Sequence, residues 1–195
     1  MQIVANNIYH IYNQGNNRQV IFKDHEDYLN FLRKVRKFVA PYCDVLAYCL
    51  MPNHFHFLIN TTEKSPETIS QGNIEVTQIG NGFRLLSSQY AQDFNKRYNQ
   101  SGSLFRQKTK SKMMLDHHQA FICFQYIHQN PWKSGLVGKM EKWQFSSFQN
   151  YASLRNGSLC KKEIASDLIN ISKENFIEES YGVVIDESLT KGLFK

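Results

Sequence analysis

Two strand-length segments on either side of one proline turn constrain the fold more than any other stretch: CDVLAYCLM at Cys43 to Met51 and HFHFLIN at His54 to Asn60. The first is mostly apolar and lies between Pro41 and Pro52, as expected of a buried strand. Pro52 lacks an N–H and Asn53 tolerates turn geometry, so the chain turns there and a second strand begins almost at His54. Strands adjacent in sequence usually pair, which predicts a hairpin. Side chains alternate across a strand, so His54 and His56 share one face while Phe55 and Phe57 share the other. The pattern is a pair of imidazoles backed by core.

The flanking segments supply the rest of a mixed fold. NIYHIYN at Asn7 to Asn13 alternates like a strand and ends at the turn Gln14-Gly15-Asn16-Asn17. It carries His10, which approaches the histidine pair if the two strands are neighbours. From the N-cap Asp24 to Ala40, apolar residues Tyr28, Phe31, Leu32, Val35 and Val39 recur at helical spacing until Pro41. Phe83 to Asn99 repeats that periodicity through Leu86, Tyr90, Phe94 and Tyr98. The polar stretch between, residues 63–82, predicts a mobile loop or a small hairpin at Ile74 to Ile79. SLFRQKTKSKMM at Ser103 to Met114 places Arg106, Lys108, Lys110 and Lys112 on one face of a predicted strand. Asp116 caps a helix that Pro131 is expected to end, and it carries Tyr126 and Asn130 on one face, four residues apart. Short helices are expected at Lys161 to Ile171 and Lys173 to Tyr181.

Composition narrows the class. A chain of 195 residues, 42% hydrophobic and 21% charged, suffices for one domain with a core and is too short for a TIM barrel. No apolar run approaches a membrane span, and Met1 to Tyr12 lacks the pattern of a signal peptide, so a cytoplasmic protein is expected. The net charge of +6 and the basic residues beside aromatics favour a nucleic-acid partner. The four cysteines form no CxxC pair, and three sit among large apolar residues. A zinc site from Cys43, Cys49, His54 and His56 is disfavoured, because the histidine spacing is not that of zinc fingers. No phosphate-binding GxxxxGK[ST] loop exists, so no nucleotide cofactor is expected.

Two imidazoles and one amide oxygen could hold a divalent cation with positions open for substrate oxygens, a set suited to Mn²⁺ and less ideally to Mg²⁺. Tyr126, one turn before Asn130, would then serve as a nucleophile toward phosphorus. Each residue alone has a plainer explanation. Ten tyrosines occur, most of them packing residues, and an asparagine before proline often ends a helix.

Five segments in order, YHIYNQGNNRQVIF at Tyr9 to Phe22, YCLMPNHFHFLI at Tyr48 to Ile59, YAQDFNKRYNQSGSLF at Tyr90 to Phe105, YIHQNP at Tyr126 to Pro131 and WQFSSFQNY at Trp143 to Tyr151, resemble the single-tyrosine HUH transposases. The branch associated with repetitive extragenic palindromes is the most similar. The resemblance implies a ferredoxin-like α/β sandwich, an α+β fold with a central antiparallel sheet and helices packed on it. It implies a catalytic domain over residues 1–151 and a C-terminal helical extension over 152–195, packed on that domain or trailing it. It also implies cleavage of single-stranded DNA near hairpins through a 5′-phosphotyrosine, with Mg²⁺ or Mn²⁺ as cofactor. By motif position Tyr126 is the nucleophile, and His54, His56 and Asn130 are the metal ligands. Candidate DNA contacts are Arg18, Arg97, Arg106, Lys108, Lys110 and Lys112. Monomeric and homodimeric states are both compatible. The chain departs from the pattern at Gln14-Gly15, where relatives usually carry Arg-Gly, and in the long 63–82 insertion. Two other readings remain: a hairpin-binding regulator without turnover, and a phosphodiesterase that uses water.

Overall fold

The structure, a computed structural model, describes residues 3–106, 108–172 and 174–185. Its elements are β1 (Ile8–Gln14), α1 (His25–Phe38), β2 (Cys43–Met51), β3 (His54–Thr61), β4 (Thr68–Gln71), β5 (Ile74–Thr77), α2 (Gln78–Tyr98), β6 (Lys110–Met113), α3 (His117–Lys133), α4 (Phe148–Tyr151), α5 (Lys162–Ile169) and α6 (Phe176–Gly182). The main sheet has the order β2-β3-β1-β6 with every pair antiparallel, and β4 and β5 form a separate hairpin. This is the α+β sandwich that the sequence predicts, and β3, the histidine strand, is an inner strand.

Register assigns the two faces. Tyr12 lies opposite His56 and His10 opposite Leu58, so these side chains emerge on one side of the sheet. Phe55 and Phe57 emerge on the other, where Phe31 of α1 and Phe83 of α2 pack at ring-centroid distances of 5.1 and 6.1 Å. Helix α3 covers the histidine side, with its Phe124 against Tyr151 of α4 at 4.9 Å. The free edge of β2 is closed by the segment before α4: Leu50 N donates to Phe145 O at 2.9 Å, and Ser147 N to Tyr48 O at 2.9 Å. The opposite edge strand, β6, is short and lysine-bearing.

Three expected boundaries move. Helix α2 begins at Gln78 rather than Phe83, because Thr77 caps it by accepting from Gly80 N at 3.2 Å and Ile79 is already buried. Gly82 reads as a loop residue in sequence but lies where α2 crosses α1; a Cβ there would sit 2.2 Å from the Phe38 carbonyl oxygen. The 63–82 stretch therefore holds a hairpin, but over β4 and β5 (Thr68–Gln71 and Ile74–Thr77) rather than at Ile74 to Ile79, and Ile79 already belongs to the first turn of α2. Helix α3 continues through buried Pro131 to Lys133. A proline so near the end removes one backbone donor, and the last carbonyls are met by Ser134 N on Asn130 O at 3.0 Å and Leu136 N on Pro131 O at 3.0 Å. In the extension, α5 and α6 fall within or near the predicted helices; Lys173, the expected start of the second, and residues 186–195 lie outside the described residues.

The described part of the extension packs onto α3. Gln129 Nε2 donates to Ser180 O and Val183 O, both at 2.8 Å, and Phe176 stacks obliquely on Phe148 and Tyr151. All four cysteines are buried and free. No described helix is long and apolar enough to cross a membrane.

Candidate nucleic-acid cleavage site

The two histidines of β3 come together with Tyr126 of α3. Their rings lie 5.0 Å apart, and the Tyr126 ring meets His56 edge-on at 5.6 Å. Helix α3 presents Asn130 one turn beyond Tyr126 on the same helix face. Burial lowers the His54 pKa to about 4 and holds His56 well below the usual histidine value, with neighbouring imidazoles adding to the second shift. Both rings are thus neutral at neutral pH and offer lone pairs rather than positive charge. Burial raises the Tyr126 pKa and the Asn130 side chain beside it pulls the other way, so the phenol is protonated until its charge is stabilised.

Each histidine is held from behind. His54 Nδ1 lies 2.6 Å from Asn53 Oδ1, and the same amide donates through Nδ2 to Arg18 O at 3.3 Å. Arg18 adopts a left-handed backbone, φ 60°, in the turn after β1, which brings its carbonyl to Asn53. His56 Nδ1 lies 2.9 Å from Nε2 of His10, a residue with no solvent exposure. Tyr12 stacks on both His10 and His56, at 4.8 and 6.0 Å.

The candidate DNA contacts separate into groups. Lys110 and Lys112 pair with Tyr12 and His10, so they stand on the histidine face, with Lys110 Nζ 6.0 Å from the Tyr12 ring centre. Arg106 and Lys108 do not continue that strand. Buried Leu104 and Phe105 tie the chain to the turn after β1, through Asn16 N on Leu104 O and Arg106 N on Gln14 O, before β6 begins. Arg106 and Lys108 instead line a cavity of about 570 Å³ shared with Asn81 and Arg84 of α2. The expected line of four cations is therefore two cations on the site face and two beside that cavity. Arg97 is bound to Asp24 at 2.6 Å and to buried Asp27 at 3.0 Å, joining α2 to the start of α1. Arg18 sits in the turn next to Asn53.

Among the described residues no group of three or more His, Cys, Asp and Glu side chains could hold a metal ion. A cation on His54 and His56 would need an oxygen of another kind, and Asn130 is the amide on the facing helix. The donor set, two neutral imidazoles and an amide, fits a divalent ion of the Mn²⁺ type.

No family model matches the chain. A Haemophilus influenzae protein with the provisional name REP-associated tyrosine transposase is 26% identical over 127 residues, which cover 63% of this chain and 69% of that protein. A solved structure, described as the REP-associated tyrosine transposase bound to a REP hairpin, matches with a TM-score of 0.58 at 15% identity, over 83% of this chain and 92% of that one. At that identity the structural match establishes the shared fold. The chain resembles the REP-associated tyrosine transposases in sequence and in fold.

Within this transposase-like fold, sequence reasoning missed Tyr12 and Asn53 as neighbours of the site and left His10 open. Period-two alternation put Tyr12 and His10 on one face of β1, but only the register with β3 shows that this face is the histidine face. The MPNHFH turn carried Asn53 as a turn residue, and its contact with His54 needed coordinates.

Proposed function

We propose that this protein is a metal-dependent single-stranded DNA endonuclease and strand transferase that acts beside a DNA hairpin through a 5′-phosphotyrosine on Tyr126. The observation that carries the reading is the edge-on approach of Tyr126 to His56 at 5.6 Å, with Lys110 and Lys112 on the same face of the sheet. The name of the Haemophilus relative and the hairpin in the matching solved structure support the substrate class.

In the proposed reaction the Tyr126 oxygen attacks the phosphorus of one phosphodiester, its proton leaves, and the strand's 3′-oxygen departs as a hydroxyl. One P–O bond forms and one breaks, so the bond energy is stored for rejoining without ATP. His54, His56 and Asn130 would hold Mg²⁺ or Mn²⁺, which supplies Lewis-acid polarisation of the phosphate. Buried neutral imidazoles keep extra positive charge out of the cation site, and α3 fixes the phenol over the β3 histidines. Lys110 and Lys112 bring fixed positive charge to a phosphate backbone lying across β6.

The test is incubation of labelled hairpin oligonucleotides with Mn²⁺ or Mg²⁺, followed by denaturing electrophoresis. A protein-linked band is expected, retained in Tyr12→Phe and lost in Tyr126→Phe and His54→Ala, with hairpin binding preserved in Tyr126→Phe. Cleavage without any adduct points to water as the nucleophile. Hairpin binding without cleavage supports the regulator.

A further inference from the structure

The four residues of the proposed reaction leave a third histidine unexplained. His10 is fully buried on β1, diagonal to His56 across the β1–β3 ladder, with the two rings stacked at 5.1 Å and 16°. Its Nε2 is 2.9 Å from His56 Nδ1. Two imidazole nitrogens at that distance share one proton, so one nitrogen donates and the other accepts. If His10 donates, His56 must carry its own proton on Nε2 and cannot ligate through that nitrogen. If His56 donates from Nδ1, its Nε2 keeps a lone pair.

The same choice is already made for His54. Asn53 presents Oδ1 to His54 Nδ1 at 2.6 Å while its Nδ2 is engaged by the Arg18 carbonyl at 3.3 Å, so the amide is oriented as an acceptor and His54 Nδ1 must donate. That leaves Nε2 as the lone-pair nitrogen of His54.

We propose that His10 and Asn53 are positioning residues that hold His56 and His54 in the Nδ1–H tautomer, so that both Nε2 atoms are available to one divalent cation. The inference rests on the reading of His54 and His56 as ligands. Ligating histidines usually donate their second N–H to a carboxylate or a backbone carbonyl. Here an amide and an imidazole take that place. His10 also fixes the plane of the His56 ring by stacking, and Tyr12 extends that stack.

The direct test is imidazole ¹⁵N NMR of the unaltered protein without metal and with Mg²⁺, which reads the tautomer of each histidine. The expected result is Nδ1–H for His54 and His56, with Mg²⁺ shifting their Nε2 resonances. Nε2–H on His56 in both states would overturn the assignment to His10, and Nε2–H on His54 in both would overturn that to Asn53.

Mn²⁺ affinity, read from the electron spin resonance of the free ion, supplies the second arm. His10→Phe keeps a stacking ring without an acceptor and is expected to weaken affinity about 10- to 100-fold. His10→Gln, which can present an acceptor oxygen, should recover most of that loss, and Asn53→Ala should weaken affinity comparably. Unchanged affinity in His10→Phe, alongside a large loss in His56→Ala, rejects the role of His10 while keeping the ligands. Unchanged affinity in His56→Ala itself rejects the ligand reading, and the inference falls with it.

Discussion

Replacing Gly82 with alanine tests the crossing of α1 and α2 that backs the histidine strand. A Cβ at this position would lie 2.2 Å from the Phe38 carbonyl oxygen and 3.2 Å from the carbonyl carbon. The shorter distance falls more than ~1 Å short of the roughly 3.5 Å at which non-bonded heavy atoms rest. The obstacle is backbone, so relief requires two helices to part, and Phe31, Phe83 and Tyr90 are packed between them and the sheet. Overpacking of this kind costs about 1–3 kcal/mol, and alanine recovers about 1 kcal/mol of helix propensity over glycine. With a rigid obstacle the cost sits at the upper end, for a net loss of about 2 kcal/mol. In a chain of this size each kcal/mol moves Tm by about 2–4 °C, so a fall of about 4–8 °C is expected. Thermal unfolding followed by circular dichroism measures it, with Gly182→Ala as a control because nothing lies within 4 Å of a Cβ there. A Gly82→Ala variant that melts at or above the parent temperature, with the control unchanged, refutes the close crossing.

Burial leaves His128, whose Nε2 lies 2.7 Å from Ser147 Oγ, with a pKa of about 3, against an ordinary 6.5. Since the unfolded chain takes that proton first, stability is lost as pH falls below the ordinary value, by about 2 kcal/mol at about pH 5. His128→Gln should reduce the difference in urea stability between pH 7 and pH 5 by that amount; an undiminished difference contradicts the assignment. Replacing Lys110 and Lys112 with alanine should weaken single-strand binding and flatten the dependence of log K on log salt by about 0.7 for each phosphate that is no longer neutralised. An unaltered slope removes β6 from the DNA face. Arg97→Ala, by breaking the Asp24 and Asp27 pairs, should lower Tm and leave that slope as it was; a flattened slope would make Arg97 a DNA-binding residue instead.

Much of the architecture was legible because it obeys local rules. The proline-bounded β2–β3 hairpin, the Asp24 and Asp116 caps and the helical periodicity of α1 are each written within a short window, and each appears as expected. Local rules misled where tertiary contact set the outcome. Gly82 looked like a loop breaker because sequence does not reveal that another helix passes against it. Pro131 looked like a stop because neither its burial nor the closing bonds of Ser134 N and Leu136 N onto Asn130 O and Pro131 O can be read from residue type. Arg106 and Lys108 looked like strand residues in line with Lys110 because the anchoring of Leu104 and Phe105 beside Gln14 was invisible. At the candidate site, residue types and spacing singled out His54, His56, Tyr126 and Asn130. The roles of His10, Tyr12 and Asn53 depend on the register of β1 against β3 and on the orientation of one amide, which no spacing rule encodes.

Two phenols lie close to His56, Tyr126 edge-on at 5.6 Å and Tyr12 stacked at 6.0 Å, so the proposed chemistry is tested most directly by locating the covalent bond. The protein would be reacted with a hairpin oligonucleotide and Mn²⁺, trimmed with nuclease and protease, and its peptides sequenced by mass spectrometry. A residual nucleotide 5′-phosphate is expected on Tyr126. A nucleotide on Tyr12, or cleaved DNA with every tyrosine unmodified, would contradict the proposed mechanism.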